Sequence, residues 1–193
     1  MKSGKDFFFE DVSWEIRQQI LMYDSARLMS DKERAVYFGL PRGCRIREGA
    51  KIISPENLTI GENCWIGENA MLDASGGLSI GSNTSIGLNT LVWTHDSHQL
   101  NIQGMNTPEN KDKIKRKATK IGSNCFIGGP SVIMPGIIIG DNCVIAPMSV
   151  VYENLLDGTV YRPYRDMHRS LAKRDIQIKS LLARIEALEK QVL

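Results

Sequence analysis

The chain is short of histidine, of aromatic residues and of any surplus charge. It has three histidines, 7% aromatics, and 24 Lys and Arg against 22 Asp and Glu, a formal net charge of +2. So small a charge gives no field that would gather nucleic acid or an anionic membrane surface. No apolar run approaches the roughly 20 residues of a membrane-spanning helix. Phe7, Phe8 and Phe9 open an apolar start that Glu10 and Asp11 end at once, too short for a signal-peptide core and without a small-residue cleavage site. The expected location is therefore cytoplasmic. Cys44, Cys64, Cys125 and Cys143 form no CxxC, and none stands near a histidine at zinc-site spacing. They are expected as thiols, and no metal centre is expected. With 42% apolar residues in 193, a core for one domain with short appendages is within reach.

What the chain has in abundance is a repeat of six. From Ile60 it reads IGENCW, IGENAM, LDASGG; from Ile80, IGSNTS, IGLNTL, VWTHDS; from Ile121, IGSNCF, IGGPSV, IMPGII, IGDNCV, IAPMSV. Ile46 and Ile52 begin a less regular version. An aliphatic residue opens each unit, glycine often follows, and the fifth place is small: Cys64, Ala70, Thr84, Thr90, Cys125, Ser131, Cys143, Ser149. An amphipathic helix would space its apolar residues by three and four, and a half-buried strand would alternate. A period of six fits a flat-sided solenoid instead, in which each aliphatic stacks on its equivalent one rung away. Glycine and asparagine are expected at the tight turns, where positive φ is needed. Cys64, Cys125 and Cys143 then read as small buried residues.

These units resemble the hexapeptide repeat of left-handed parallel β-helix acyltransferases, and the stretch IGSNCFIGGPSVIMPGIIIGDNCVIAPMSVV is very similar to that family's most characteristic segment. The resemblance spans Ile46 to Val151. It implies an all-β solenoid, a left-handed parallel β-helix over 46–160, with an N-terminal helical segment (1–45) and a C-terminal α-helix (161–193). It also implies a homotrimer with active sites between subunits, and acetyl transfer from acetyl-CoA to a sugar hydroxyl. Bacterial sugar and polysaccharide O-acetyltransferases are the nearest kind, so a capsule or lipopolysaccharide glycan or its precursor is the expected acceptor. N-acetylation of an amino or nucleotide-linked sugar, and a non-catalytic scaffold, are the alternatives.

The repeat stops between Ser97 and Thr119, which reads as one long polar excursion carrying Lys111, Lys113, Lys115, Arg116 and Lys117. A loop of that length inside a compact domain is often functional. It is either a solvated loop or a contact for an anion such as CoA phosphates or an acidic glycan. Just before it stands WTHDSH, holding two of the three histidines. Transfer to a hydroxyl needs a base, and histidine, with an unperturbed pKa near ~6.5, can take the proton and pass it on. In an extended stretch Asp96 and His98 share a face and His95 points away. That favours His98 as the base with Asp96 orienting it, and leaves His95 as the alternate. A metal-dependent relative of the same fold would need three converging histidines, and His168 lies outside the repeat.

By position, the resemblance places acyl-CoA near Phe126, Gly128, Gly129, Ala146 and Pro147, with Gly129 either admitting the ligand or only making a turn. The family often has tryptophan where Phe126 stands, and Thr-Lys where Tyr152-Glu153 stand; Arg162 or Arg165 would then replace the lost positive charge. Trp93 and Tyr23 are candidate contacts for the acceptor. Ser13 to Met29 read as a helix capped by Ser13. Near the end, Leu171, Arg174, Ile178, Leu181, Ile185, Leu188 and Val192 fall on alternating three- and four-residue steps, a short coiled-coil pattern or an interaction helix for glycan-assembly machinery.

Overall fold

A computed structural model describes residues 29–162 and 174–185. The helix expected over Ser13–Met29, with Tyr23, lies outside the described residues apart from its last position, as do Arg165 and both ends of the C-terminal heptad pattern. The chain divides into two compact units that part after Val160.

In the first unit the chain winds through three parallel sheets in strict rotation. The first wall runs from Arg45–Ile46 through Trp65–Ile66, Ser85–Ile86 and Phe126–Ile127 to Val144–Ile145, with a last strand that opens at Val160. The second stacks Lys51–Ile53, Met71–Asp73, Leu91–Val92, Val132–Ile133 and Val150–Val151. The third stacks Leu58–Ile60, Leu78–Ile80, Thr119–Ile121 and Ile138–Ile139. One rung cannot bury its own apolar edge; stacking does it. Ile46, Ile66, Ile86, Ile127 and Ile145 form one inward column, and Leu72, Val92, Ile133 and Val151 another, all with 0% exposure.

The small fifth residues are buried as expected, Cys44 with them. They also tie rungs together: Thr84 Oγ1 donates to the Gly122 carbonyl at 2.8 Å, and the Cys64 and Cys125 thiols reach the Gly81 and Gly140 carbonyls at 3.1 Å each. Burial pushes both of these thiols above their ordinary pKa, so they are poor nucleophiles.

The expectation for the turns holds for both residue types, since Gly43, Gly49, Gly77 and Gly136 take positive φ, but not for the glycine that follows the aliphatic residue. Asparagine alone of the pair takes positive φ within the IGxN units, at 53–59° for Asn63, Asn69, Asn83, Asn89, Asn124 and Asn142. The glycine after the aliphatic residue serves close approach instead. A Cβ on Gly87 would lie 2.6 Å from the Ile127 carbonyl oxygen of the next coil and closer still to the Gly129 nitrogen.

The register reveals what the six-residue period hides. Early coils repeat every 20 residues (Arg45↔Trp65, Met71↔Leu91), and the last coils every 18 (Phe126↔Val144, Val132↔Val150). The two extra residues sit at the corner between the second and third walls, in 54–57 and again in 74–77. The long excursion leaves from that same corner one coil later, after Leu91–Val92, and the coil resumes at Thr119.

A helix at Asp31–Tyr37, inside the segment expected to be helical but beyond the helix placed at Ser13–Met29, precedes the first coil. Ser30 and Glu33 form a capping box at its start, and the buried Arg34 donates from Nε to the Ile46 carbonyl at 2.8 Å. In the second unit residues 174–185 are helical and every one of them is exposed.

Candidate active site

The enlarged corner brings three rung ends together. Asp73 ends one second-wall strand, and Trp93–Thr94–His95 leave the same wall one coil later. Asp73 is fully buried, yet its carboxylate is saturated with donors. Oδ1 accepts from the Ser75 N–H at 3.0 Å; Oδ2 accepts from the Thr94 N–H at 2.8 Å, from Thr94 Oγ1 at 3.0 Å, and from His95 Nδ1 at 2.7 Å. Burial alone would raise this carboxyl. Hydrogen bonds from Ser75, Thr94 and His95 outweigh it and hold the pKa down at about 2.

An ionised carboxylate only accepts, so Nδ1 of His95 must carry the ring proton. Nε2 is then left with a free lone pair, which is the state a general base needs. Ser75 Oγ lies 3.3 Å from the same Nδ1. The Trp93 ring stands edge-on to the imidazole, centroids 5.6 Å apart at 86°. About a third of the His95 side chain remains open to solvent.

His98 is placed differently. The chain does not stay extended here. It turns at Ser97 into a short helix, His98–Ile102, so the face argument loses its premise. The expected Asp96–His98 contact does form, with Nδ1 2.5 and 2.6 Å from the two carboxylate oxygens. It is made by a local turn in which Asp96 Oδ1 also accepts the His98 N–H at 2.9 Å. That backbone bond, with the ring, holds Asp96 below the usual carboxylate range. Both side chains are open, at 61% for His98 and 38% for Asp96.

The excursion, read from sequence as polar and patternless, carries a second short helical stretch, Pro108–Lys113, and returns as a strand, Lys115–Arg116. That strand pairs antiparallel with His95–Asp96, Arg116 opposite His95 and Lys115 opposite Asp96. Directly opposite residues present their side chains on one face. The return is clamped down. Lys117 N donates to the Thr94 carbonyl at 2.8 Å, and Thr119 Oγ1 to the Trp93 carbonyl at 2.8 Å. The Arg116 Cβ closes over Gly76, where an added Cβ would meet it at 3.1 Å. Lys115 and Arg116 are therefore laid beside Asp96 and His95.

Gly128, Gly129, Ala146 and Pro147 gather on consecutive coils at a different corner, between the first and second walls; Gly128 N donates to the Ile145 carbonyl at 2.8 Å. Phe126 precedes them with half its surface exposed. Gly129 is required by the chain itself, because a Cβ there would run into the Leu88 carbonyl oxygen. Arg162 is exposed in the second unit. Asp73, Ser75 and Thr94 were missed from sequence. The signal was present: LDASGG puts a carboxylate where neighbouring units have glycine, and two extra residues follow before the next wall. Among the described residues no group of His, Cys, Asp or Glu is arranged to hold a metal.

Two family models match the repeat: bacterial transferase hexapeptide (six repeats) over residues 118–153, and hexapeptide repeat of succinyl-transferase over residues 57–92. The chain carries the hexapeptide repeat in both matched segments. Solved structures share its fold. A hexapeptide-repeat containing acetyltransferase from Vibrio cholerae is 22% identical with a TM-score of 0.58, over 76% of this chain and 86% of that one. A galactoside acetyltransferase in complex with coenzyme A is 22% identical with a TM-score of 0.57, over 74% and 72%. An N-acyltransferase from Bacillus cereus, in complex with dTDP-4-amino-4,6-dideoxyglucose and coenzyme A, is 19% identical with a TM-score of 0.51, over 74% and 96%. The three parallel walls of this hexapeptide-repeat protein fit a left-handed β-helix.

Proposed function

We propose that this protein transfers an acetyl group from acetyl-CoA to a sugar hydroxyl, with His95 as the general base and Asp73 as the residue that orients it. The observation that carries the reading is the buried, ionised Asp73 fixing the proton on Nδ1 of His95 and leaving Nε2 to act. His98 has a carboxylate too, but in an exposed local turn that also serves a helix start. His95 is therefore preferred over His98 as the base.

The chain's residues fit the cosubstrate. The corner at Gly129 and Ala146–Pro147, with Gly128 buried beneath it, carries exposed apolar Leu88, Phe126 and Met148, surfaces suited to the pantetheine arm. Bound there, acetyl-CoA would supply the acyl group as a thioester. His95 Nε2 takes the acceptor's hydroxyl proton as that oxygen attacks the acyl carbon, and returns it to the departing thiolate. The products are an ester and a free thiol, and the base ends as it began. Ionised Asp73 stabilises the imidazolium between the two transfers. Backbone N–H groups of the coil are suited to the transient oxyanion. Trp93, set against the imidazole, is suited to stack on a sugar ring.

A homotrimer with sites between subunits is part of this proposal. It is supported by the separation of the two corners within one chain, which a second copy would bridge. Lys115 and Arg116 beside Asp96 and His95 favour an acidic acceptor, as in bacterial capsule or lipopolysaccharide glycans or their precursors, acetylated in the cytoplasm. N-acylation is the second reading, favoured by the likeness to the enzyme solved with an amino sugar nucleotide; an amine needs the same base. The test is acetyl-CoA turnover against polysaccharides and nucleotide sugars, followed by hydroxylamine treatment of the product. An ester is cleaved and an amide survives. Ester formation upholds the proposal, amide formation moves it to the second reading, and no turnover with no acetyl-CoA binding leaves a scaffold.

A further inference from the structure

The helix at 174–185 carries an exposed apolar face. Ile178, Leu181 and Ile185 are 51–54% exposed, and Leu182 beside them 53%. Their spacing continues in sequence through Arg174 to Leu171 before them and to Leu188 and Val192 after, on alternating steps of three and four, Arg174 being the one charged residue on the seam. Isoleucine at the a places (Ile178, Ile185) and leucine at the d places (Leu181, Leu188) is the composition of a parallel seam. The flanks agree. Arg184 falls at g and Glu189 at the following e, the pair that meets across two parallel helices in register. An antiparallel pairing would set g against g and lose that match. From this pattern we infer that the helix docks on the same helix of a second copy, parallel and in register.

The pairing needs no acyltransferase activity and is tested apart from it. Single cysteines are introduced into the full chain at Ile178→Cys, Ile185→Cys and, on the outer face, Ala183→Cys, and each protein is oxidised under native conditions. Like a positions in a parallel seam lie within reach of a disulfide. The four native cysteines are buried and should not compete. The expected result is a band at double the 21.6 kDa chain mass for the 178 and 185 variants and none for the 183 variant. Failure of both seam positions to cross-link, or equal cross-linking at 183, overturns the inference; a membrane surface or the chain's own coil would then be what the apolar face meets. Adding Ile178→Glu to the Ile185→Cys protein is expected to abolish its cross-link, and persistence of the band would also overturn it.

Discussion

At the scale of single residues, the site rests on a carboxylate whose charge burial opposes and hydrogen bonds retain. The pKa of Asp73 is depressed from 3.8 to about 2, so the folded state binds its proton less readily than the unfolded chain. Its contribution to stability is therefore full above about pH 4 and is lost as the pH falls toward 2, a difference worth about 2 kcal/mol. Thermal melts of wild type and Asp73→Asn should differ from neutral pH down to about pH 5, draw together below about pH 4 and converge only as the pH falls through about 2. A gap that stayed constant with pH would argue against an ionised Asp73. Thr84 and Thr90 give a second contrast. Thr84 Oγ1 bonds the Gly122 carbonyl and accepts from Cys125 N, whereas Thr90 Oγ1 is buried without a partner. Thr84→Val should cost about 1 kcal/mol, while Thr90→Val should be neutral or stabilising, as chemical denaturation would show.

At the scale of the element, each corner of the coil rests on two devices that the repeat makes easy to confuse. Within the IGxN units asparagine supplies positive φ, and glycine supplies room for the next rung. Asn83→Gly should be tolerated, and Asn83→Ala should cost about 1 kcal/mol. Gly87→Ala should lower the melting temperature more than either, because the intruding methyl meets backbone of the next coil. The excursion belongs to this scale too. Its return strand sets Arg116 opposite His95. Arg116→Gln should raise KM for an acidic acceptor while leaving KM for acetyl-CoA near its wild-type value; the opposite pattern in steady-state kinetics would assign the arginine to CoA instead.

At the scale of the whole molecule, the solenoid was legible because its physics is periodic: an aliphatic residue every sixth place has no other use. Cys64, Cys125 and Cys143 were readable as core for the same reason. The pairing of His95 was not, because it runs across coils and not along the strand. A solenoid places a residue's neighbours one coil away, and Asp73 is 22 positions upstream. The lengthened corner that admits it shows only as two residues out of phase, before Ile80. The Asp96–His98 contact was legible because it is local, although a turn makes it and not a shared face. The helix at Asp31–Tyr37 had a readable S-x-x-E cap at Ser30–Glu33, too short a signal beside the repeat to stand out.

The most direct test of the central claim is the rate at which free CoA thiol appears from acetyl-CoA in the presence of a competent acceptor, measured for wild type, His95→Ala and His98→Ala. If His95 is the base held by Asp73, kcat/KM should fall about 10²–10⁴-fold in His95→Ala and stay within a few-fold of wild type in His98→Ala. Loss confined to His98→Ala, with His95→Ala active, would contradict the account and return the role of base to the exposed pair at Asp96 and His98.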